Sequence, residues 1–180
     1  MANCNISAGI GVDCSDLRRV GGVNKRVWFF NADGVTYTTN VNGYITGITF
    51  STYEGLYAFE GKKNSHSSGY QLINQEGANK FFQHDSVIKL FATSPADQEV
   101  IEDLAVASVG IIVETNNREF VLYGKNNGMD LISLTGSTGT VGASDVTSTL
   151  TFQGSEPEMP KFVLSTDYVT TLALLESYEV

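Results

Sequence analysis

Apolar and aromatic residues fall in short stretches separated by Gly, Asn, Asp and Ser, the punctuation of strands rather than of long helices. Strands are predicted from Arg26 to Asn31 (RVWFFN), Tyr44 to Phe50, Leu56 to Lys62, Val109 to Glu114, Glu119 to Tyr123, Met129 to Thr138, Thr147 to Phe152 and Lys161 to Ser165. Asp33-Gly34, Asn42-Gly43 and Asn116-Asn117 supply residues that tolerate positive φ in tight turns, and the last pair joins GIIVET to REFVLYG as a hairpin. Trp28, inside RVWFFN, is assigned to the core.

Two longer candidates occupy the middle of the chain, Ser65 to Asn74 and Phe81 to Ala92. Together they form a hairpin expected to outreach the sheet around it. Tyr70, Leu72, Phe81 and Phe82 lie near its turn. They either fill the core or, on a projecting element, mark a protein–protein contact. One helix is well signalled: Ser94 can cap it, Pro95 suits its first position, and Asp97 completes a box-like arrangement. Val100, Ile101, Leu104 and Ala105 then form an apolar stripe, with Glu99, Glu102 and Asp103 opposite. About twelve residues, roughly 18 Å, are expected to lie on a sheet. Tyr168 to Tyr178 is open between strand and helix, its β-branched start favouring the first and LALLES the second. Residues 1–23 read as an N-terminal arm that orders on a neighbour, and residues 24–180 as one β domain.

Composition narrows the function classes. The chain has 180 residues and 42% hydrophobic against 17% charged residues, enough to build one core. Its 11 basic and 20 acidic side chains give a formal charge of −9, which disfavours phosphate-backbone binding of the usual kind. No apolar run approaches the ~18 residues of a membrane span. The start, MANCNISAGIGVDCSD, lacks a basic segment followed by an apolar one and is read as no signal peptide. Cys4 and Cys14 are accordingly expected to stay reduced.

Reactive chemistry is sparse, and the expectation is a protein without catalytic, metal or cofactor site. His66 and His84 are the only histidines. His84 and Asp85 are adjacent on a predicted strand and so point to opposite faces, which is wrong for one to orient the other. No G-x-S-x-G elbow is present, and the glycines at 9, 11 and 136–142 lack the setting of a phosphate loop. Asp145 has no dense carboxylate spacing around it, as a calcium loop would. Glu156 and Glu158, flanking Pro157, are read as a solvated turn.

The order of elements says more than any single motif. A long hairpin is followed by a capped helix at Ser94 to Ala107 and an apolar strand pair at Gly110 to Gly124. The turn Gly124-Lys-Asn-Asn-Gly128-Met129 comes next, and a later strand ends at Gly154-Ser-Glu156. This pattern resembles the major tail-tube proteins of tailed bacteriophages and the related inner-tube proteins of contractile injection machines, over the C-terminal two-thirds of the chain.

The resemblance implies a mainly β fold, a β-sandwich or barrel-like domain with one α-helix packed on the sheet and a long projecting hairpin. It implies a non-enzymatic virion protein, assembled in the host cytoplasm, whose copies form rings, typically of six, that stack into a tail tube with other tail proteins. DNA passes through the lumen without specific binding. Six copies at −9 each carry −54, which suits a conduit that phosphates do not stick to. Tyr70, Leu72, Phe81 and Phe82 on the hairpin, and Ile6, Ile10 and Val12 on the arm, become the expected inter-subunit contacts. Other virion roles, tail completion or capsid accessory, share much of the pattern. A carbohydrate-binding β-sandwich using Trp28, Tyr37, Tyr44 and Tyr53 is the rival from a different class.

Overall fold

The computed structural model describes residues 19–51, 54–74, 79–91, 94–138 and 146–180. Eleven strands and two helices are defined among them. In chain order they are β1 (Val23–Asn31), β2 (Thr36–Thr39), β3 (Ile45–Thr49), β4 (Tyr57–Glu60), β5 (Ser67–Ile73), β6 (Phe81–Phe91), α1 (Pro95–Leu104), β7 (Val109–Thr115), β8 (Phe120–Tyr123), β9 (Asp130–Ser137), β10 (Thr147–Glu156), β11 (Lys161–Val163) and α2 (Tyr168–Ser177). The fold is mainly β, as the sequence pattern predicts.

The strands form two sheets. One has seven strands in the order β2-β3-β11-β8-β7-β1-β4, and the other four in the order β5-β6-β10-β9. Two hydrophobic clusters explain why β1 and β7 read as unbroken apolar runs instead of alternating. Val27 and Phe29 of β1 pack with Ile111 of β7 against Ile88, Leu150 and Phe152 of the smaller sheet. Their neighbours Trp28, Phe30 and Ile112 point the other way, into a second cluster with Leu175 and Leu172 of α2. The large sheet is thus covered on both faces, by the small sheet on one and by α2 on the other. Each fully buried Ile, Leu or Phe contributes about 1.5–3 kcal/mol to holding these layers together.

The segment left open between strand and helix is a helix, so two helices stand among the described residues, where the expected fold had one packed on the sheet. Asp167 caps α2, its side chain accepting the Thr170 N–H at 2.8 Å. Tyr168, Leu172, Leu175 and Tyr178 then fall on one stripe against the large sheet. α1 carries the full capping box expected of it: the Asp97 N–H donates to Ser94 Oγ and the Ser94 N–H to Asp97 Oδ2. Its apolar stripe is narrower than predicted. Ile101 and Leu104 are buried, but Val100 and Ala105 are exposed. The helix closes one end of the sandwich by its edge, and Val100 instead lines a cleft with Tyr57 and Phe59 of β4.

β2 is absent from the predicted strands. Its three threonines are exposed and only Tyr37 is half-buried, so it carries almost no apolar signal and exists by pairing with β3. Trp28 is fully buried, as assigned, and its indole N–H donates to Glu179 at 2.7 Å. The last part of the expected arm is fastened to its own chain. Arg19 pairs with Glu119, the Val20 N–H donates to Asn117 Oδ1, and Val23 already belongs to β1.

Candidate assembly surface

The four-stranded sheet carries the features that bear on function. All its pairings are antiparallel: β5 with β6, β6 with β10, and β10 with β9. Alternate residues therefore face opposite ways. Ile88, Leu90, Leu150 and Phe152 turn inward to the core, and the opposite face mixes polar residues, among them Gln83, Asp85, Lys89 and Gln153, with the apolar Phe81, Val87 and Phe91. That face is knit by side-chain hydrogen bonds, Gln83 and Gln153 both donating to the Asp85 carboxylate at 2.8–3.3 Å.

Its two edges are unlike those of the large sheet. The large sheet ends in four-residue strands, β2 and β4, and Glu60 on β4 is held by Arg26. The shortness of both edges, and the charge on β4, discourage further pairing. β5 and β9 are seven and eight residues long, hold no Pro, Lys or Arg, and together carry one acid, Asp130 at the start of β9. Ile132 and Leu134 on β9, and Tyr70 and Leu72 on β5, are 48–56% exposed. Among the described residues neither edge takes a further strand, and both can serve as templates for strand addition.

The four hairpin residues singled out by sequence do not form one patch. Leu72 lies directly across from Phe82, and Tyr70 from His84, so Tyr70, Leu72 and Phe82 share the inward-facing side. Phe81 pairs with Ile73 on the outer side. The Tyr70 and Phe82 rings meet edge to face at 6.4 Å, and Tyr70 is half-exposed. The hairpin does not stand alone either: β10 runs beside β6 as far as the pair Glu156 and Phe82. Ile6, Ile10 and Val12, like Cys4, Cys14, Tyr53 and Asp145, lie outside the described residues.

The turn and strand end on which the resemblance rests come together in space. Gly124 and Gly128 both have positive φ, at 70° and 75°, and bracket Lys125-Asn126-Asn127. Glu156 points into this loop: its carboxylate accepts the Asn126 and Asn127 backbone N–H groups at 2.8–3.1 Å and Asn126 Nδ2 at 3.0 Å. Glu156 is 1% exposed, which overturns its reading as part of a solvated turn. The reason is that β10 continues four residues past its predicted end and carries the carboxylate inward. Gly154 lies against the Gly128 carbonyl and Met129, where any Cβ would collide. Spacing alone did not reveal the carboxylate's role, because the loop it caps lies about thirty positions earlier.

Titratable groups elsewhere serve the fold. His66 and His84 are buried, and both nitrogens of each ring meet backbone atoms. His84 and Asp85 do face opposite ways. Burial pushes the Tyr123 hydroxyl up to about 12 and raises Tyr37 too, so both stay neutral. Among the described residues no group of three or more His, Cys, Asp or Glu is placed to hold a metal ion. No helix among them is long and apolar enough to cross a membrane.

No family model, no curated protein and no solved structure matches this chain. The functional reading therefore rests on the geometry above and on the sequence resemblance.

Proposed function

We propose that this chain is a structural subunit of a phage-type tail tube, assembling into stacked rings that form a conduit for DNA. The supporting observation is the pair of long edges on the four-stranded sheet, which have no basic residue or proline and take no further strand among the described residues. Three antiparallel steps separate β5 from β9, so the two edge strands run in opposite senses. Copies related by rotation can then join β9 of one to β5 of the next, again antiparallel. Such a head-to-tail joint is heterologous and closes into a ring when the rotation allows.

The dimensions agree with a conduit. Six copies would contribute 24 strands at about 4.8 Å each, a circumference of about 115 Å and a diameter of about 37 Å between backbones. Removing a side-chain layer of about 5 Å on each wall leaves a channel on the order of 25 Å, wide enough for a DNA duplex. The outer face would line it, with Gln, Ser and Thr, the apolar Ile73, Phe81, Val87 and Phe91, and Asp85 and Asp130 against Lys89, offering phosphates little to bind. Closure would also hide edges that otherwise aggregate. In the glycan-binding alternative, Trp28 could not serve as a stacking platform, being fully buried.

Negative-stain electron microscopy of the concentrated protein tests this reading. Rings or tubes with a central channel are expected, and Ile132→Lys on exposed β9 should abolish them while leaving a folded monomer. Persistent monomers of the unaltered chain at high concentration would overturn the proposal. Tubes that survive Ile132→Lys would overturn the edge-joining route.

A further inference from the structure

We propose that His66 and His84 form an acid-released latch between the two sheets. Both rings are used twice, in the same way. His66, just ahead of β5, accepts the Lys89 N–H of β6 at Nδ1 (3.1 Å), and its Nε2 lies 3.2 Å from the Lys25 carbonyl of β1. His84, within β6, accepts the Gly124 N–H at Nδ1 (3.2 Å), and its Nε2 lies 3.0 Å from the Glu158 carbonyl. In each case Nδ1 faces a donor and Nε2 an acceptor. Only the neutral Nε2–H tautomer satisfies both.

The two clasps tie β6 to β1 and to the end of β8, one strand of the small sheet to two regions of the large one. The β5–β6 ladder ends at Ser67 and Val87, so the His66 ring takes the Lys89 amide just beyond the last rung. An imidazolium has no acceptor nitrogen. Protonation would set N–H against N–H at Lys89 and at Gly124, and the clasp must open.

The surroundings set the direction. Around His84 stand Asp85 beside it, Glu156 on β10, Tyr70 across on β5 and the Tyr123 ring edge-on from β8; the Glu158 carboxylate is engaged by Lys125 and Lys161. Burial outweighs the favourable pull of Glu156 and Asp85 and holds the imidazole below its ordinary range. At His66 burial again dominates, opposed by the bond to the Lys25 carbonyl. Lys25 and Lys89 meet this ring through backbone atoms, and the Lys25 ammonium lies 3.9 Å from Glu60. With both groups lowered, the opened state takes up protons first. The latch is fully closed above the ordinary histidine value of about 6.5 and weakens as pH falls below it. Each histidine multiplies the open fraction up to about tenfold per pH unit, the two together about 100-fold.

The test uses the full chain, ¹⁵N-labelled and dilute, followed by imidazole ¹H–¹⁵N spectra and amide-exchange protection factors between pH 7.5 and 5. Both rings should show the Nε2–H tautomer at pH 7.5 and titrate below 6.5. Protection at Lys89 and Gly124 should fall with pH relative to β3 and α2, and His66→Gln or His84→Gln should each lower that fall by up to about tenfold per pH unit below 6.5. If a variant does not fold, the titration of the unaltered chain decides by itself. An Nδ1–H tautomer, a ring titrating at or above 6.5, or protection at Lys89 and Gly124 that tracks the rest of the chain would overturn the latch.

Discussion

Replacing Glu156 with alanine removes the acceptor that pins the 124–129 loop. The lost contacts are two backbone N–H groups and one side-chain amide, all donating to a carboxylate 1% exposed. Charge-assisted bonds of this kind contribute about 1.5–3 kcal/mol each when both partners are buried. Asn126 and Asn127 are themselves exposed, so water can reach the freed donors. About 1 kcal/mol apiece is the appropriate scale, and the expected loss is about 3 kcal/mol. For a chain of this length that lowers Tm by roughly 6–12 °C. Glu156→Gln keeps the shape and one acceptor but turns a donor toward Asn126, so it should cost less, about 1–2 kcal/mol. Urea unfolding followed by the emission of the single, fully buried Trp28 measures both. A Glu156→Ala variant within about 0.5 kcal/mol of the unaltered chain would refute the claim that this carboxylate holds the loop, since that is the scale of an ordinary surface change.

Gly110→Ala places a methyl on the ring of Phe30, its direct partner across β1 and β7, and should cost about 1–3 kcal/mol in thermal unfolding; an unchanged Tm would mean that the sheet yields there. Trp28→Phe removes the bond to Glu179 and should lower stability by about 2 kcal/mol, with amide exchange rising first in the residues after α2. Ser94→Ala removes the α1 cap at a cost of about 1 kcal/mol, measured by urea midpoint. Leu72→Lys, at a position 53% exposed, should leave stability within about 0.5 kcal/mol yet reduce assembly as seen by sedimentation; equal assembly would remove Leu72 from the contact.

Much of the secondary structure was legible because it depends on local chemistry. The α1 cap needs only Ser94, Pro95 and Asp97, and the turn at Asn116-Asn117 joins strands adjacent in sequence, although its positive φ falls on Arg118 and not on either asparagine. Wherever an element owes its state to a distant partner, local pattern fell short. β2 is mostly threonine and owes its pairing to β3. The segment after Ser165 balances strand and helix signals until the apolar face of the large sheet receives Leu172 and Leu175. α1 shows four apolar positions, of which the end of the sandwich covers two.

The candidate surface divides along the same line. Sequence by itself determined a mainly β chain, acidic and poor in reactive groups, with apolar residues concentrated near one hairpin, because composition and two-residue periodicity are properties of neighbours along the chain. Only tertiary structure decided which side those residues take, since strand register puts Tyr70, Leu72 and Phe82 on one face and Phe81 on the other. It alone decided that β5 and β9 are edges among the described strands, because an edge is defined by its lack of a neighbour in space. Glu156 is the plainest case: beside Pro157 it reads as a surface acid, and it becomes a buried clasp because a loop thirty positions away in sequence brings its backbone amides to it.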